Sequence, residues 1–308
     1  MKMVRIFTRG NKLRDIEPEK DFIIVGHRGA SKYAPEDTIA SFKKALELGA
    51  NGIECDVLFT RDDIPVIAHH YDISTRALPR PKLAHINEMD IAEVKKLDVG
   101  LWFSKEYAGE RIPTLREALF FLKGKVDRVY LHDKRENDYT VSKGNRISIF
   151  AEEIRSSNMK DKVVVMVESG DLYLWQTHAP DIELLQCWAG FGRLDYARGR
   201  IKVEDSFLSG VRHMGSYTHG SQPTFLGGVL HKMGLRKLAL IVSRLQIEDT
   251  VRGYRMKGCD FTVFTINNGL HMLLYLNAGF KAIGTDDPAL LVSIIRDYKR
   301  HVQLKGAR

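Results

Sequence analysis

The chain has 308 residues, of which 44% are hydrophobic and 28% are charged, so it is long enough to bury a large single core. No apolar run approaches the roughly 18 residues that a membrane span needs, and residues 1–15 carry charges where a signal peptide would be apolar. We therefore expect a cytoplasmic protein. Its three cysteines, Cys55, Cys187 and Cys259, form no C-x-x-C pair, which argues against a disulfide framework and against a thiolate zinc site.

The formal net charge of +8 comes from lysines and arginines that are interleaved with acidic residues. The sequence has no long basic block and no zinc-finger or RNA-recognition signature, so we predict that nucleic acid is not a partner. A mildly basic surface suits an anionic small molecule, such as a phosphodiester, and it also suits an anionic membrane surface.

The chain begins with a strand, a helix and a second strand. The first strand is predicted at Asp21–Gly26, the helix at Thr38–Leu48 and the second strand at Asn51–Leu58. A further run, Pro65–Ala68, leads to His69. A strand, helix, strand unit of this length implies a parallel pair of strands.

The alternation of helices and strands continues to the end of the chain. The long connection at residues 73–112 is predicted to be functional, because a loop of this length in a compact domain usually is. Residues 188–237 show the least clear pattern. Further strands are predicted at Arg128–Asp133, Lys162–Glu168, Ile182–Cys187, Leu238–Val242, Phe261–Ile266 and Lys281–Gly284. A total of about eight strands favours a closed barrel over an open sheet. The sequence therefore predicts an α/β fold, a TIM (β/α)8 barrel, as one domain over residues 1–308.

Polar side chains fall where the first predicted strands end. They are His27 and Arg28 after the first strand, Glu54 and Asp56 in the second, and His69 after the next run. Functional groups at the carboxyl ends of parallel strands mark the usual position of a site in α/β folds. We therefore predict one site at this rim.

These residues belong to a longer ordered pattern. Residues 27–29 read His-Arg-Gly, residues 35–38 read Pro-Glu-Asp-Thr, an E-x-D pair follows, and Pro65-Val66 precedes His69; Arg111–Leu115, Thr262–Asn267 and Gly284–Pro288 come later in the same order. Over residues 22–295 the chain resembles the glycerophosphodiester phosphodiesterase family, whose second motif is Pro-Glu-Asn-Thr. The resemblance implies a TIM-type barrel with a small insertion after strand 2. It also implies hydrolysis of glycerophosphodiesters to an alcohol and glycerol 3-phosphate.

A metal site is predicted from the E-x-D pair. Glu54 and Asp56 are two residues apart on a strand, so their side chains point to the same side. Two unpaired carboxylates facing a barrel axis repel each other unless a cation lies between them. Oxygen-rich sites favour hard divalent ions, so we expect Mg²⁺ or Ca²⁺, with Mn²⁺ also compatible.

The third metal ligand departs from the family pattern. The family has an acidic residue two positions before a lysine, whereas residues 131–134 here read Leu-His-Asp-Lys. Strand alternation favours His132 as the ligand because it shares a face with Lys134, while Asp133 stays open as the ligand if a bulge kinks the strand. An imidazole ligand would shift the preference toward softer ions. A site that has lost its metal, in a non-catalytic phosphate-ester binding protein, is the alternative from another class.

His27 and His69 are the predicted catalytic acid and base. Cleavage of a phosphodiester needs a base for the attacking oxygen and an acid for the leaving alkoxide, and histidine titrates near neutral pH. The sequence does not decide whether the attacking oxygen comes from water or from a neighbouring substrate hydroxyl. His70 stands where the family has aspartate, and we interpret it as outward-facing support.

Arg28, Lys134 and Glu36 are the predicted substrate or phosphate-binding residues. Arginine engages two phosphate oxygens at once, and lysine supplies a point charge. Glu36 either orients Arg28, contacts a substrate hydroxyl or charges the first turn of the following helix.

The function predicted from this resemblance is metal-dependent hydrolysis of soluble glycerophosphodiesters, with a small-molecule phosphodiester as the partner. The runner-up is a phospholipase D-like enzyme acting on lysophospholipids or sphingolipids. It would use Pro223–Leu230 as an apolar patch against a membrane. That peripheral membrane contact is not favoured, because the same residues fit a buried barrel helix.

Overall fold

A computed structural model of the chain describes residues 22–79, 85–134, 143–168, 171–189, 213–217 and 260–306, together with positions 233, 241, 245 and 247. The chain divides into two compact units. The first comprises Val25–Leu184 and Asp286–Pro288, and the second comprises Met1–Ile24, Leu185–Thr285 and Ala289–Arg308. The prediction of a single domain over the whole chain stays a prediction.

The first unit is built on parallel strands. They are β1 (Ile23–His27), β2 (Gly52–Phe59), β4 (Arg128–Asp133) and β5 (Val163–Glu168), and the short β3 (Pro65–Ile67) pairs antiparallel with the end of β2. β2 is buried along its whole length and pairs in parallel with both β1 and β4. In this register His27 lies opposite Glu54, and Asp56 lies opposite His132. The predicted polar residues therefore meet toward the carboxyl ends of neighbouring strands.

Helices α1 (Ile39–Glu47), α3 (Leu115–Leu122), α4 (Lys143–Ser156) and α5 (Leu172–His178) connect these strands. α1 begins at Thr38, whose hydroxyl accepts a hydrogen bond from the amide of Ser41 at 3.1 Å. Such a cap satisfies one of the amides that the first turn of a helix leaves without a partner. Phe42 and Ala45 on the inner face are fully buried, which fixes α1 against the sheet.

The segment between β3 and α3 forms the insertion. It contains α2 (Ile91–Val94) and the 3₁₀ turns Ile86–Glu88 and Lys105–Tyr107. Its apolar residues share one buried cluster with the strand residues Leu58 and Val66. Since burial of apolar surface is the main stabilising contribution to such a segment, the insertion is held against β2 and β3.

The second unit also has parallel strands. They are β6 (Leu184–Ala189), β7 (His213–Tyr217), β8 (Asp260–Phe264) and β9 (Ala282–Thr285), each paired with the next. Its helices are α6 (Gly269–Ala278) and α7 (Pro288–Gly306). α6 ends at Gly279, which has a φ of 81°, a left-handed conformation that glycine adopts at little cost.

Two features of the second unit differ from the sequence prediction. Ile241 is helical, so the strand predicted at Leu238–Val242 is wrong at that position, because periodicity cannot distinguish a short apolar strand from a buried helix segment. β7 lies within residues 188–237, where no strand is predicted from the sequence. Its sequence, HMGSY, has no β-branched residue that would indicate a strand. Among the described residues, no helix is both long enough and apolar enough to cross a membrane.

Candidate active site

Two buried carboxylates form the centre of the site. Glu54 and Asp56 on β2 are 0% and 1% exposed. His27 Nε2 lies 3.8 Å from Glu54 Oε2, and His132 Nδ1 lies 3.1 Å from Asp56 Oδ1. Strand alternation thus places both carboxylates on one face, with a histidine of each neighbouring strand beside them.

A tight turn at the end of β1 places His27 and Arg28 beside these carboxylates. Gly29 has a φ of 83°, and a Cβ atom at this position would collide with the side chain and the carbonyl of Ser41. The Ser41 hydroxyl donates a hydrogen bond to the Arg28 carbonyl at 2.8 Å, and the Arg28 amide donates to Glu54 Oε2 at 3.1 Å. The His-Arg-Gly motif therefore needs glycine at its third position, because only glycine permits both this conformation and this close approach.

Two cations lie next to the pair. Arg28 Nε is 3.0 Å from Asp56 Oδ2, and Arg28 Nη1 donates to Glu36 Oε2 at 2.9 Å. Lys134 Nζ is 3.5 Å from Asp56 Oδ1. The guanidinium is fixed between two carboxylates, so it is pre-positioned for planar recognition of an anion.

The surroundings push the pKa values of the two carboxyls apart. Burial raises the pKa of Glu54, and the negative charge of Asp56 raises it further, so it stays above its usual range although His27 and Arg28 oppose this. Burial acts in the same direction on Asp56. However, the hydrogen bond with His132 and the charges of Lys134 and Arg28 bring the pKa of Asp56 below its usual range. Two carboxyls this close repel each other when both are ionised, so a cation between them would favour ionisation of both.

Glu54, Asp56 and His132 can hold a metal ion. Each offers one ligand atom, and these atoms lie within 4.8 Å of one another. Within the part of the chain that the structure describes, Glu54 Oε1 is buried without a hydrogen-bond partner. A buried oxygen in this state is costly, and a divalent cation would satisfy it. The alternative ligand, Asp133, instead accepts a hydrogen bond from the Trp175 indole at 2.8 Å.

His69 follows β3 and is half-buried beside the exposed His70. Its Nδ1 lies 3.0 Å from His70 Nε2. Burial, together with the charges of Arg28 and Lys134, lowers the pKa of His69 to about 3, although Asp56 opposes this shift. His69 is therefore neutral near pH 7, as a proton acceptor must be.

A second group of possible ligands, Glu36, His69 and His70, also lies within 4.8 Å. It is less buried than the first group, and its carboxylate is already paired with both Arg28 and Arg76. Those two cations disfavour a further positive ion at this place.

Asp286 is a site residue that the sequence reasoning missed. Its Oδ1 accepts hydrogen bonds from His27 Nδ1 at 2.7 Å and from the Ser31 hydroxyl at 2.8 Å. Burial lowers the pKa of His27, but Glu54 and the bond with Asp286 raise it, and the net pKa lies above the usual value. The sequence contains a signal, since Asp286 lies in the motif Gly284–Pro288, to which no site role is assigned from the sequence.

Asp37 is a second missed residue. It is 3% exposed, has a φ of 58°, and lies where the family pattern has asparagine. Its Oδ1 accepts from the amide of Asp56 at 3.4 Å. Burial and the charge of Asp56 raise the pKa of Asp37 well above its usual range. The neutral acid is therefore favoured, and it carries the same charge as the asparagine that it replaces.

Solved structures similar to this chain share its fold. A phosphodiesterase from Oleispira antarctica, in complex with the product sn-glycerol-3-phosphate, has a TM-score of 0.67 at 23% identity, covering 89% of this chain and 96% of that one. A glycerophosphodiester phosphodiesterase from Agrobacterium tumefaciens has a TM-score of 0.62 at 20% identity, covering 88% and 99%. These similarities confirm the predicted α/β fold of the TIM-barrel class.

The glycerophosphoryl diester phosphodiesterase family model matches residues 27–290. A glycerophosphodiester phosphodiesterase from Caldanaerobacter subterraneus is 28% identical over 274 residues, 89% of this chain and 98% of that protein. One from Bacillus subtilis is 24% identical over 312 residues, with coverage of 96% and 94%. The chain belongs to the glycerophosphoryl diester phosphodiesterase family, which confirms the resemblance and the enzyme class, a phosphoric diester hydrolase. A glycerophosphodiester phosphodiesterase function is thereby supported.

The apolar patch predicted at Pro223–Leu230 lies outside the described residues, as does most of 188–237.

Proposed function

We propose that the chain hydrolyses glycerophosphodiesters to an alcohol and glycerol 3-phosphate, with a divalent metal held by Glu54, Asp56 and His132. The observation that carries this proposal is the buried carboxylate pair on β2. Both side chains are almost fully buried, and among the described residues Glu54 Oε1 has no hydrogen-bond partner. Mg²⁺ or Ca²⁺ suits the oxygens, and the His132 nitrogen also admits Mn²⁺.

The phosphate would bind between the metal ligands and the cations. A bound divalent ion supplies Lewis-acid stabilisation of the charge that develops on the phosphoryl oxygens. Arg28 is held by Asp56 and Glu36 and keeps further N–H donors for non-bridging oxygens. Lys134 adds a point charge on the same face of the sheet.

His27 and His69 would transfer the protons. One would act as the base for the attacking oxygen and the other as the acid for the leaving alkoxide. An ionised Asp286 can only accept a hydrogen bond, so His27 Nδ1 donates to it, which turns His27 Nε2 toward Glu54. Asp286 therefore acts as a positioning residue for His27. His69 Nδ1 lies 3.0 Å from His70 Nε2, and its half-buried imidazole is neutral, so its ring has a lone pair that can accept a proton.

A direct assay tests the proposal. Purified protein is incubated with glycerophosphoglycerol in Mg²⁺, Ca²⁺ or Mn²⁺, and released glycerol 3-phosphate is measured by a coupled dehydrogenase. We expect turnover with at least one of the ions. If the protein binds the substrate by calorimetry but releases no glycerol 3-phosphate in any of them, the binding-protein alternative replaces this proposal.

A further inference from the structure

A small cleft beside His69, which we call the insertion cleft, lies next to the proposed chemistry. Glu36, His69 and His70 line it on the side of the strands, and Arg76 and Trp102 line it on the side of the insertion. Its apolar wall consists of Ile73, Val99 and Ile112. Because the proposed acid or base forms part of this cleft, a substrate whose phosphate is at the metal ligands would extend its alcohol or its glycerol arm into it.

Arg76 determines both the charge in the cleft and the access to its aromatic surface. Its guanidinium forms an ion pair with Glu36, and its Cζ atom lies 5.3 Å from the centre of the Trp102 ring. Trp102 is 39% exposed, so part of its ring would be open to a ligand if the arginine were absent. An aromatic face of this kind is the usual partner of a quaternary ammonium group. Here the arginine already occupies that position.

The size of the cleft limits its ligand further. It offers about 40 Å³ of cavity volume, whereas one water molecule needs roughly 10–15 Å³ on the same measure. The space therefore suits a small polar group and not the long acyl chain of a lysolipid. Guanidinium donors, carboxylate acceptors and an apolar wall together suit a short chain that alternates hydroxyl groups with C–H groups.

We propose that the insertion cleft selects glycerophosphodiesters whose alcohol is an uncharged polyol and disfavours those that carry a quaternary ammonium. This inference rests on the proposed function. Arg76 excludes the ammonium both by like-charge repulsion and by covering the Trp102 ring, and its pair with Glu36 supplies donors and acceptors for hydroxyls.

The test compares kcat/KM for glycerophosphoglycerol and for glycerophosphocholine in the metal-loaded protein. We expect the wild type to prefer the polyol substrate by about tenfold, the scale of one cation–π contact. In Arg76→Ala the preference should disappear or reverse, because the Trp102 ring becomes accessible to choline. Arg76→Lys keeps the charge and should keep the preference. A double variant, Arg76→Ala with Trp102→Ala, should lose whatever choline activity Arg76→Ala gained.

The matched control is Arg61→Ala. Arg61 pairs with Asp90 away from the cleft, so its removal should leave the ratio of the two kcat/KM values unchanged. Loss of the Glu36 pair in Arg76→Ala should lower kcat/KM for the polyol substrate, whereas exposure of the Trp102 ring should raise it for the choline substrate, and the double variant separates these two effects. Equal efficiency toward both substrates, or a choline preference in the wild type, would overturn the inference while leaving the proposed function intact. If the wild type cleaves neither substrate, the proposed function fails and this inference fails with it.

Discussion

The carboxylate pair on β2 and the insertion cleft contain similar side chains in different states. Glu54 and Asp56 are almost fully buried, and among the described residues Glu54 Oε1 and Asp56 Oδ2 have no hydrogen-bond partner, although Asp56 Oδ2 is in an ion pair with Arg28. In the cleft, Glu36 is paired with both Arg28 and Arg76, and about one third of the Arg76 side chain is exposed. The first region leaves a buried carboxylate oxygen without a partner among the described residues, whereas the carboxylate of the second region is paired with two arginines.

This difference indicates which region performs the chemistry and which selects the substrate. Charges that are desolvated and incompletely paired interact strongly with a bound ion, because little water screens them. Charges that are paired and partly solvated contribute less to binding energy. They mainly determine the geometry of hydrogen bonds and the sign of the charge that a ligand can carry. Substitutions at the carboxylate pair should therefore abolish activity, and substitutions in the cleft should alter preference.

The largest effect is expected on removing the metal or its ligands. Chelation should abolish cleavage of glycerophosphoglycerol, and Mg²⁺, Ca²⁺ or Mn²⁺ should restore it, because Arg28 and Lys134 pair with Asp56 and, among the described residues, leave Glu54 Oε1 buried without a partner. Glu54→Gln and Asp56→Asn should each lower kcat/KM by more than about a thousandfold, the upper range of a lost electrostatic contribution. Glu153→Gln, which breaks a surface pair with Arg116, is the control. Full activity in excess chelator, with no metal found by elemental analysis, would contradict this expectation.

The histidines come next. His27→Ala and His69→Ala should each lower kcat by about a hundredfold or more, the usual scale for loss of a general acid or base. His70→Ala should have much less effect, because His70 is exposed and outside the carboxylate pair. If His70→Ala is as damaging as His69→Ala, the assignment of roles after β3 is wrong.

Asp286→Asn tests the positioning of His27 and should have a smaller effect, about tenfold on kcat, below the loss of the histidine itself. Asp286 contributes to raising the pKa of His27. Without that carboxylate the pKa falls, so the limb of the kcat/KM profile that reports His27 should move to lower pH. Ser31→Ala removes the other hydrogen bond to Asp286 and should shift this limb less. A profile that does not move in Asp286→Asn would exclude the positioning role.

Part of this region could be predicted from the sequence because strand alternation alone aligns Glu54 with Asp56 and His132 with Lys134. The parallel register that brings His132 opposite Asp56 depends on the pairing of β2 with β4, which spacing along the chain does not fix. The motif order then predicted the family and the barrel.

The partners from distant segments could not be predicted in the same way. Asp286 reaches His27 across 259 residues of sequence, and Arg76 reaches Glu36 from an insertion whose path no periodicity describes. The neutral state preferred by Asp37 depends on its burial, which a motif does not reveal. Sequence spacing therefore indicated the proximity of Glu54, Asp56 and His132 better than it indicated the partners that reach the site from distant segments.

The smallest effect is expected for Asp37→Asn. This variant tests whether Asp37 is a third ionised carboxylate beside Glu54 and Asp56. Asp37 touches the backbone of Asp56 and is as buried as the pair, yet burial and Asp56 hold its pKa well above the usual range. Asparagine has the same zero charge as the neutral acid and accepts a positive φ more readily than most residues, so kcat/KM should stay within about threefold of wild type, the scale of a neutral substitution. Asp37→Ala, which removes the acceptor for the Asp56 amide, should be worse. If Asp37→Asn is as damaging as Glu54→Gln, Asp37 is ionised in the metal-loaded enzyme, and the site contains three ionised carboxylates instead of two.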